Sequence, residues 1–398
     1  MIPPRPRRTQ ALRKRSSGTP PAGYRAAPAG HPSIAVPATV RRVNILIVKL
    51  TALGDITHTL PALTTLRRTH PQAHLTWLVE DSAEDLLRDH PALDRLLVWP
   101  RRHWRKLFRT GHWLALAQAV ASFRRQLRET RFDLAIDFQG LVKSALWIAQ
   151  ARATTRAGYG PGQRHDEFAW LALDRRIPVR DPGAHAVERN LRLLDALGFP
   201  RLPLAFDFPT PEARRQEALM LLAESGIPHG SPFVAVNAMT RWPTKNWTAD
   251  HFARTADLIR AAGLPVVFTG APGDRSAIDD IFARMKERAV RLDGKTSLQT
   301  LGAIFRDASV VLSTDTGPMH IAVAVGTPVV ALFGPTSPEY TGPYGSQNTV
   351  IRAGLPCSPC FRRVCRTRDF EPHACMRRLD PADVARAVLA RVPPRPAS

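Results

Sequence analysis

Cysteine is scarce in this chain of 398 residues, which has only four, all between Cys357 and Cys375. Four thiols in one short segment exclude a disulfide-rich secreted scaffold. Long apolar runs are also missing: none approaches the roughly 18 residues of a membrane span, and residues 1–42 lack the apolar core of a secretory signal. We therefore expect a protein of the reducing cytoplasm.

Acidic residues are few, with 34 Asp and Glu against 56 Lys and Arg, which gives a net charge of +22. Lysine is rarer still, because it supplies only seven of the 56 cations. Residues 1–42 carry nine basic residues and no acid, which leaves 47 basic against 34 acidic residues in the rest of the chain. A basic excess that persists outside the first segment predicts an anionic partner such as nucleic acid, a phosphorylated substrate or a lipid surface.

The length predicts two domains, because a single core rarely grows beyond roughly 250–300 residues. Residues 1–42 contain eight prolines and no hydrophobic periodicity. They indicate a disordered basic tail, or alternatively a start codon assigned too far upstream. We place the N-terminal domain at 43–225 and the C-terminal domain at 226–398, because prolines interrupt the pattern between 205 and 230.

Short apolar, β-branched runs alternate with helical patterns in both domains, which is typical of a parallel sheet covered on both faces. The predicted strands are 43–48, 74–80, 93–99, 132–139, 233–237, 265–269, 290–292, 309–313 and 329–333. The fold class is therefore α/β, with two Rossmann-like domains facing a central cleft. Ligands of such sheets bind beyond the carboxyl ends of the strands, so the loops that follow strands are the candidate site.

Three of these loops carry side chains suited to chemistry. After the first strand, Gly54 permits a tight turn or the close approach of a ligand, and Asp55 could take a proton from an acceptor hydroxyl or only cap the next helix. After the fourth strand of the second domain, Thr316 and Gly317 open a helix whose amino end suits a diphosphate, without Walker or G-x-G-x-x-G spacing. After the first strand of that domain, Lys245 offers a compact charge for a phosphate, unless it is a solvated surface lysine.

Several segments, in order from residue 43 onwards, resemble the bacterial lipopolysaccharide heptosyltransferases of glycosyltransferase family nine, and most of all the heptosyltransferase I type. These segments are VK at 48–49, GD at 54–55, HTLPAL at 58–63, DFQGLVKSA at 137–145, HAVER at 185–189, KNW at 245–247, DTG at 315–317 with His320, and FGPT at 333–336. The resemblance implies a GT-B fold and inverting transfer of heptose from ADP-heptose to a Kdo sugar of lipid A. It further implies that no cofactor is required, and that the protein is cytoplasmic and in peripheral contact with the anionic inner membrane.

The same resemblance implies roles for individual residues. It assigns the catalytic base to Asp55 and implies that Lys245 neutralises the departing ADP. The implied donor contacts are Thr240, Asp274, Thr296, Asp315, Thr316, Gly317 and His320. The implied acceptor contacts are Arg101, Arg102, Arg105, Lys106, Gln139 and Lys143. Two features depart from heptosyltransferase I: the loop from Thr240 to Lys245 is one residue longer, and Thr296 and Asp274 stand where that type has an adenosine-contacting Met and a ribose-binding Glu.

The segment 101–109 is basic and aromatic. Its five cations beside Trp104 and Phe108 suit the phosphates of an anionic glycolipid, with the aromatic rings at the lipid interface. The alternative explanation is a solvated helix start.

The four cysteines are a further candidate site, for zinc or an iron–sulfur cluster. They are Cys357, Cys360, Cys365 and Cys375. Only the first pair has a spacing typical of metal ligands, and the later gaps fit no standard pattern. We therefore expect a segment that binds no metal.

Three other functions are compatible with parts of the sequence. A nucleic-acid-binding protein would explain the charge, but the chain shows no helix-turn-helix, zinc-finger or RNA-binding signature, and we expect no nucleic acid. Another family-nine glycosyltransferase with a different core acceptor would share the same motifs. An epimerase acting on sugar nucleotides would share the fold, but it needs no acceptor segment.

Overall fold

The structure is a computed structural model, and it describes residues 42–162, 167–179, 181 and 183–392. The predicted basic tail lies outside these residues except for Arg42, and its proposed disorder stays a prediction.

The first half of the chain forms a six-stranded parallel sheet in the order β3-β2-β1-β4-β5-β6. Its strands are β1 Asn44–Val48, β2 His74–Glu80, β3 Arg95–Trp99, β4 Phe132–Asp137, β5 Ala153–Tyr159 and β6 Arg175–Ile177. Apolar, β-branched side chains fill the central strand β1, whose last four residues are buried. Such a strand is stable where helices cover both faces of the sheet.

The second half repeats this arrangement, with the order β12-β11-β10-β7-β8-β9 in a second parallel sheet. Its strands are β7 Val234–Asn237, β8 Val266–Thr269, β9 Val290–Arg291, β10 Val310–Thr314, β11 Val329–Leu332 and β12 Thr349–Ile351. Counted from its own first strand, each sheet has the order 3-2-1-4-5-6 of doubly wound dinucleotide-binding folds. The prediction of two Rossmann-like halves is confirmed.

Helices connect the strands and cover the sheets. In the first half they are α1 Leu53–Thr57, α2 Leu60–Thr69, α3 Glu84–Leu87, α4 Arg101–Arg109, α5 Trp113–Glu129, α6 Val142–Gln150, α7 Ala186–Leu197 and α8 Glu212–Glu224. In the second half they are α9 Ala249–Ala261, α10 Arg275–Phe282, α11 Leu298–Asp307, α12 Gly317–Ala324, α13 Pro338–Thr341, α14 Ala374–Arg377 and α15 Pro381–Leu389. Short 3₁₀ turns occupy Ala169–Ala172, Pro243–Lys245 and Pro272–Asp274.

The predicted strands are all present, with bounds that differ by at most two residues. Three strands were not predicted, β5, β6 and β12, because their residues are mostly only partly buried and form no continuous apolar run. The boundary at 225/226 stays a prediction, and α8, just before it, packs against α11 of the second half. No helix of the described segments combines the length and apolarity that a membrane crossing requires.

In each sheet the direction of winding reverses at one place, between β1 and β4 in the first and between β7 and β10 in the second. More than half of the predicted donor, acceptor and catalytic residues lie in the loops that leave these four strands and in the helix starts that follow, at 49–55, 138–143, 238–245 and 315–317. Ligands of open α/β sheets bind at such switch points. The topology therefore brings these loops to the carboxyl edges of the two sheets.

Candidate active site

The amino ends of α1 and α12 touch, and this contact joins the carboxyl edges of the two sheets. A Cβ atom on Gly54 would lie 2.5 Å from Cδ2 of His320, and one on Gly317 would lie 2.8 Å from Cβ of Leu53. Each helix thus presents a glycine to a side chain of the other. The close approach that Gly54 permits in this structure is that of the His320 imidazole, which fills the space that a Cβ would need; the approach of a ligand to Gly54 stays a prediction.

Three histidines cluster behind this contact. Nε2 of His58 and Nδ1 of His320 share a hydrogen bond of 3.0 Å, and the ring of His185 lies 5.1 Å from that of His58. His185 precedes α7, where its Nδ1 accepts from the amide of Val187 and its Nε2 donates to the carbonyl of Gly342 in the other half. These two bonds require a neutral His185 with its proton on Nε2.

Burial keeps these histidines neutral. It lowers the pKa of His320 to about 4, lowers the pKa of His58 well below its usual range, and lowers the pKa of His185. The other groups that act on the pKa of His320 are Asp315, His185, Asp55 and Lys245. The fold therefore brings the two predicted catalytic side chains into the electrostatic surroundings of one imidazole.

We expect Gly54→Ala to force the two halves apart, because the added methyl group would overlap the buried ring of His320. The expected results are a lower melting temperature and a larger radius of gyration in solution scattering. Gly273→Ala is the matched control, since a Cβ at Gly273 meets nothing within 4 Å. Equal melting temperatures and radii for wild type and Gly54→Ala would show that the contact between the halves is not tight.

We expect acid to destabilise the protein through this cluster. The pKa of an unfolded histidine is about 6.5, and burial lowers those of His58 and His320, so the unfolded chain takes up protons first as the pH falls. The stabilisation is complete above about pH 6.5 and is lost toward pH 4, by up to about 1.4 kcal/mol per pH unit for each histidine. Urea unfolding at pH 7 and pH 5 measures this loss. It should be smaller in His320→Gln, whereas equal losses in both proteins would assign the effect to other groups.

Asp55 is half-buried in the first turn of α1. Its Oδ2 accepts a hydrogen bond of 3.1 Å from the amide of Ala52, so the capping contact that the sequence allowed is present. Its Oδ1 has no hydrogen-bond partner in the part of the chain that the structure describes. One oxygen fixes the carboxylate and the other is left for a ligand, so capping and proton transfer are compatible.

Lys245 is half-buried in an ion pair with buried Asp315 and is not a solvated surface lysine. Its Nζ is 2.6 Å from Oδ2 of Asp315, and Oγ1 of Thr336 donates to the same oxygen at 2.6 Å. The ammonium also lies 4.4 Å from the centre of the Trp242 ring, a favourable cation–π distance. Next to the pair, half-buried Thr316 precedes α12 and its hydroxyl makes no capping bond. These contacts place a fixed positive charge at the amino end of α12.

The remaining predicted donor contacts border the same sheet edge. The amide of Thr240 donates to Oδ1 of Asn246 at 3.0 Å, which closes the loop after β7. Asp274 follows β8, and its Oδ2 accepts from the amide of Ala271 at 2.8 Å. Thr296 is half-buried between β9 and α11. The roles predicted for these three residues stay predictions.

Glu80, the buried last residue of β2, holds two of the predicted acceptor contacts. Its carboxylate lies 2.9 Å from Nζ of Lys143 and 3.3 Å from the guanidinium of Arg101. Lys143 also donates to Oγ1 of Thr51. Gln139 contributes through its Oε1, which accepts from the amides of Thr51 and the preceding residue, both at 3.1 Å. Arg101, Gln139 and Lys143 therefore lie around the loop that leads to α1.

The other predicted acceptor contacts project from the exposed helix α4. Arg102 pairs weakly with Asp81, at 3.9 Å. Arg105 and Lys106 are exposed and form no ion pair within the described residues. The prediction that the rings of Trp104 and Phe108 both lie at a lipid interface is wrong for Trp104. It is 9% exposed and packs into the core, whereas Phe108, one turn further along, is 57% exposed.

The loop after β4 is held by buried charges beneath it. Nζ of Lys49 donates to the carbonyl of Phe138 at 2.9 Å, and burial lowers its pKa. Asp137 accepts from the amide of Gln139 at 2.8 Å and from the hydroxyl of Ser144 at 2.8 Å, and burial raises its pKa. Buried groups that are hydrogen-bonded to the backbone rigidify it at the switch point.

The cysteines lie after β12, away from these loops in sequence, and none forms a disulfide. Burial raises the pKa of Cys375 to about 11, with the other three thiols adding to the rise. Within the described residues, no group of three or more His, Cys, Asp or Glu side chains is arranged to hold a metal ion.

Several residues that border the site were not among the predicted site residues. Glu80, His58 and His185 are the main ones, together with Asn190, whose Nδ2 donates at 3.0 Å both to the carbonyl of His58 and to Oγ1 of Thr59. Glu80 carried one usable signal, because it is an acid that ends a buried strand in a chain short of acids.

Comparison with known proteins identifies the family of this chain. The family model for glycosyltransferase family 9 (heptosyltransferase) matches residues 120–370. Lipopolysaccharide heptosyltransferase 1 of Pseudomonas aeruginosa is 30% identical over 359 residues, which cover 86% of this chain and 96% of that protein. The protein of the same name from Escherichia coli K12 is 30% identical over 315 residues, covering 78% and 94%.

The solved structures agree on the fold. The E. coli heptosyltransferase WaaC with ADP superposes with a TM-score of 0.70 at 24% identity, over 88% of this chain and 100% of that one. Two parallel six-stranded sheets with this topology confirm the predicted GT-B fold. The resemblance seen in the sequence is also confirmed: this chain is a glycosyltransferase and belongs to glycosyltransferase family 9, the heptosyltransferases.

Proposed function

We propose that the protein transfers heptose, with inversion, from ADP-heptose to a Kdo residue of the lipopolysaccharide inner core on lipid A. The observation that carries this proposal is the meeting of α1 and α12, because it sets Asp55 of one half opposite the Lys245–Asp315 pair of the other around His320. A site built from both halves allows two substrates to bind, one from each half. The names of the relatives, which are lipopolysaccharide heptosyltransferases, support the choice of donor and acceptor.

On the acceptor side, Asp55 acts as the general base. The acceptor hydroxyl oxygen attacks the anomeric carbon of the heptose, its proton passes to Oδ1 of Asp55, and the bond from that carbon to the ADP oxygen breaks with its electron pair. Oδ2 stays bonded to the amide of Ala52 and keeps the carboxylate in place. A base held within hydrogen-bond reach of the proton meets the geometric condition for this catalysis.

On the donor side, Lys245 and the amino end of α12 stabilise the charge that develops on the diphosphate. Asp315 is a positioning residue in this mechanism, because a buried carboxylate repels a diphosphate but holds the Lys245 ammonium at 2.6 Å. Gly317 lets Leu53 of the other half approach this helix end. Thr240, Asp274 and Thr296 then border the nucleoside.

The acceptor lies against the first half, where the Glu80 carboxylate orders Arg101 and Lys143. These cations and those of α4 suit the anionic groups of Kdo and lipid A. A lipid acceptor also requires the enzyme to work at the membrane. We therefore place it on the cytoplasmic face of the inner membrane as a peripheral protein. A different core acceptor, such as a sugar already bearing heptose, is the alternative within the same family.

The test is a transfer assay with ADP-heptose and two acceptors, Kdo-lipid A and the same glycolipid already bearing one heptose. We expect ADP release that depends on Kdo-lipid A and a product heavier by one heptose. Transfer only to the heptosylated acceptor would favour the alternative. ADP release without any acceptor dependence would contradict transferase activity on these lipids.

We expect transfer to persist in excess EDTA, because cationic side chains and a helix end supply the charge that a divalent ion would otherwise supply to the leaving diphosphate. The measurement is the rate of ADP release before and after chelation and dialysis. A loss of rate that added Mg²⁺ or Mn²⁺ restores would contradict this expectation. A loss that only zinc or iron restores would instead implicate the cysteine segment.

A further inference from the structure

The helices α4 and α5 form a hairpin with an extreme charge bias. Residues 101–128 contain eight Lys and Arg and no Asp or Glu, and the single acid of the two helices is Glu129, the last residue of α5, which pairs with Arg95 of β3. The basic residues of the hairpin are Arg101, Arg102, Arg105, Lys106, Arg109, Arg124, Arg125 and Arg128. Only the two at the start of α4 have acidic partners among the described residues, Glu80 and Asp81. The predicted acceptor contacts use the first four cations, which leaves the others without a role.

The turn of this hairpin is apolar and exposed. Phe108, Trp113 and Leu114, which we name the hairpin tip, are 57%, 57% and 83% exposed. The rings of Phe108 and Trp113 lie 4.8 Å apart in an edge-to-face contact. The first nine residues of α5 continue the apolar character, since residues 113–121 contain no charged side chain and most of them are exposed.

The exposure of the tip is not a by-product of core packing. Trp104 anchors the hairpin to the sheet, with ring distances of 6.1 Å to Trp99, 5.8 Å to Phe123 and 5.8 Å to Trp147. The tip lies beyond this cluster. A contiguous exposed apolar patch bordered by polar residues marks an interaction surface rather than core.

The charge of the hairpin decides what kind of partner covers it. A second copy of this chain bound through the same surface would bring two strongly basic hairpins together, because a two-fold contact opposes a patch to itself. Nucleic acid would match the charge but not the apolar tip. An anionic bilayer matches both, since basic side chains meet its phosphates and aromatic and aliphatic side chains enter the boundary below them.

We propose that the α4–α5 hairpin docks the protein on an anionic membrane, with the tip inserted below the lipid phosphates and the basic residues of both helices on the headgroups. The proposal rests on the proposed function in one respect, because only an enzyme with a lipid-linked acceptor needs to reach that acceptor at a membrane. Arg101, at the base of the hairpin, shares Glu80 with Lys143 beside the loop that leads to Asp55. The bilayer surface would then face the acceptor side of the cleft, and the acceptor sugar could enter while its lipid stays in the membrane.

The test is sedimentation of the full chain with vesicles of phosphatidylglycerol and phosphatidylethanolamine, in about 1 M salt. At that ionic strength the Debye length is about 3 Å, so attraction by the basic residues of 1–41 is screened and insertion of apolar side chains dominates. We expect the variant F108S/W113S/L114S to lose at least about tenfold in vesicle partitioning. The matched control M220S/L258S/V364S removes three exposed apolar side chains elsewhere and should partition like the wild type.

Quenching by brominated lipids provides the second measurement. Wild type should lose Trp fluorescence on brominated vesicles, and Trp113→Phe, which keeps the tip apolar, should bind equally but be quenched less. Transfer to a detergent-dispersed acceptor separates this proposal from the proposed function, because the tip variant should keep that rate. Unchanged vesicle partitioning of the tip variant would overturn membrane docking. A dimeric wild type with a monomeric tip variant would overturn it too, because the tip would then be a contact between two copies. Binding to duplex DNA that is lost with the tip would overturn it as well.

Discussion

Asp55→Asn should lose about 10²–10⁴-fold in kcat while its affinity for ADP stays near that of the wild type. The amide cannot accept the acceptor proton, and a positioned general base contributes about that factor, or about 3–5 kcal/mol of barrier. The fold should be intact, because asparagine also caps helices well and can keep the bond from the amide of Ala52. Single-turnover kinetics with saturating substrates, together with ADP titration, measure both quantities.

Asp380→Asn is the control for this variant. Asp380 also uses its carboxylate to cap a helix, accepting from the amide of Ala382 at 2.7 Å, but it precedes α15 and not a switch-point loop. Its kcat should be unchanged. If Asp55→Asn kept more than a tenth of the wild-type kcat, the carboxylate would be a cap and the base would lie elsewhere.

Lys245→Ala should lower kcat/KM for the sugar nucleotide by about 10²–10³-fold, the range found when one group that stabilises transition-state charge is removed. The ammonium is fixed 2.6 Å from Asp315 and 4.4 Å from the Trp242 ring centre, so it pays little ordering cost as the diphosphate departs. Lys245→Arg should recover only part of the loss, because a planar guanidinium does not reproduce the ammonium geometry.

Stability must be measured beside activity in this case, because Lys245→Ala leaves Asp315 buried without its ion pair. Breaking one side of a buried pair costs about 3–5 kcal/mol, so the melting temperature should fall. The double variant Lys245→Met with Asp315→Asn should regain much of that stability but none of the activity. Recovery of activity together with stability would make the lysine a structural residue only.

The strands and the loops that follow them could be predicted from the sequence, because the local pattern of apolar and polar residues determines them. Apolar β-branched runs such as 44–48 specify buried parallel strands, and polar residues placed directly after them specified the switch-point loops. The sequence was insufficient where the partner lies far away in the chain. Nothing near Gly54 predicts a histidine 266 positions later that needs the space above it.

The burial of Trp104 in α4 could not be predicted for the same reason. Trp104 and Phe108 both stand among basic residues in the sequence. Only the contacts with Trp99, Phe123 and Trp147 place Trp104 in the core, while Phe108 stays on the surface. Glu80 was overlooked for a related reason. An acid that ends a strand becomes part of the site only because the fold brings Lys143 and Arg101 to it.

The reciprocal contact of α1 with α12 also has an evolutionary consequence. Position 54 is held to glycine by the residue at 320, and position 317 by the residue at 53, so neither member of a pair can change size alone. The pairs 54/320 and 53/317 should therefore covary among homologous sequences, with a larger residue at 54 or 317 accompanied by a smaller one at its partner. Sequence changes at the start of α1 in one domain are thus coupled to sequence changes at the start of α12 in the other, although each domain has its own sheet.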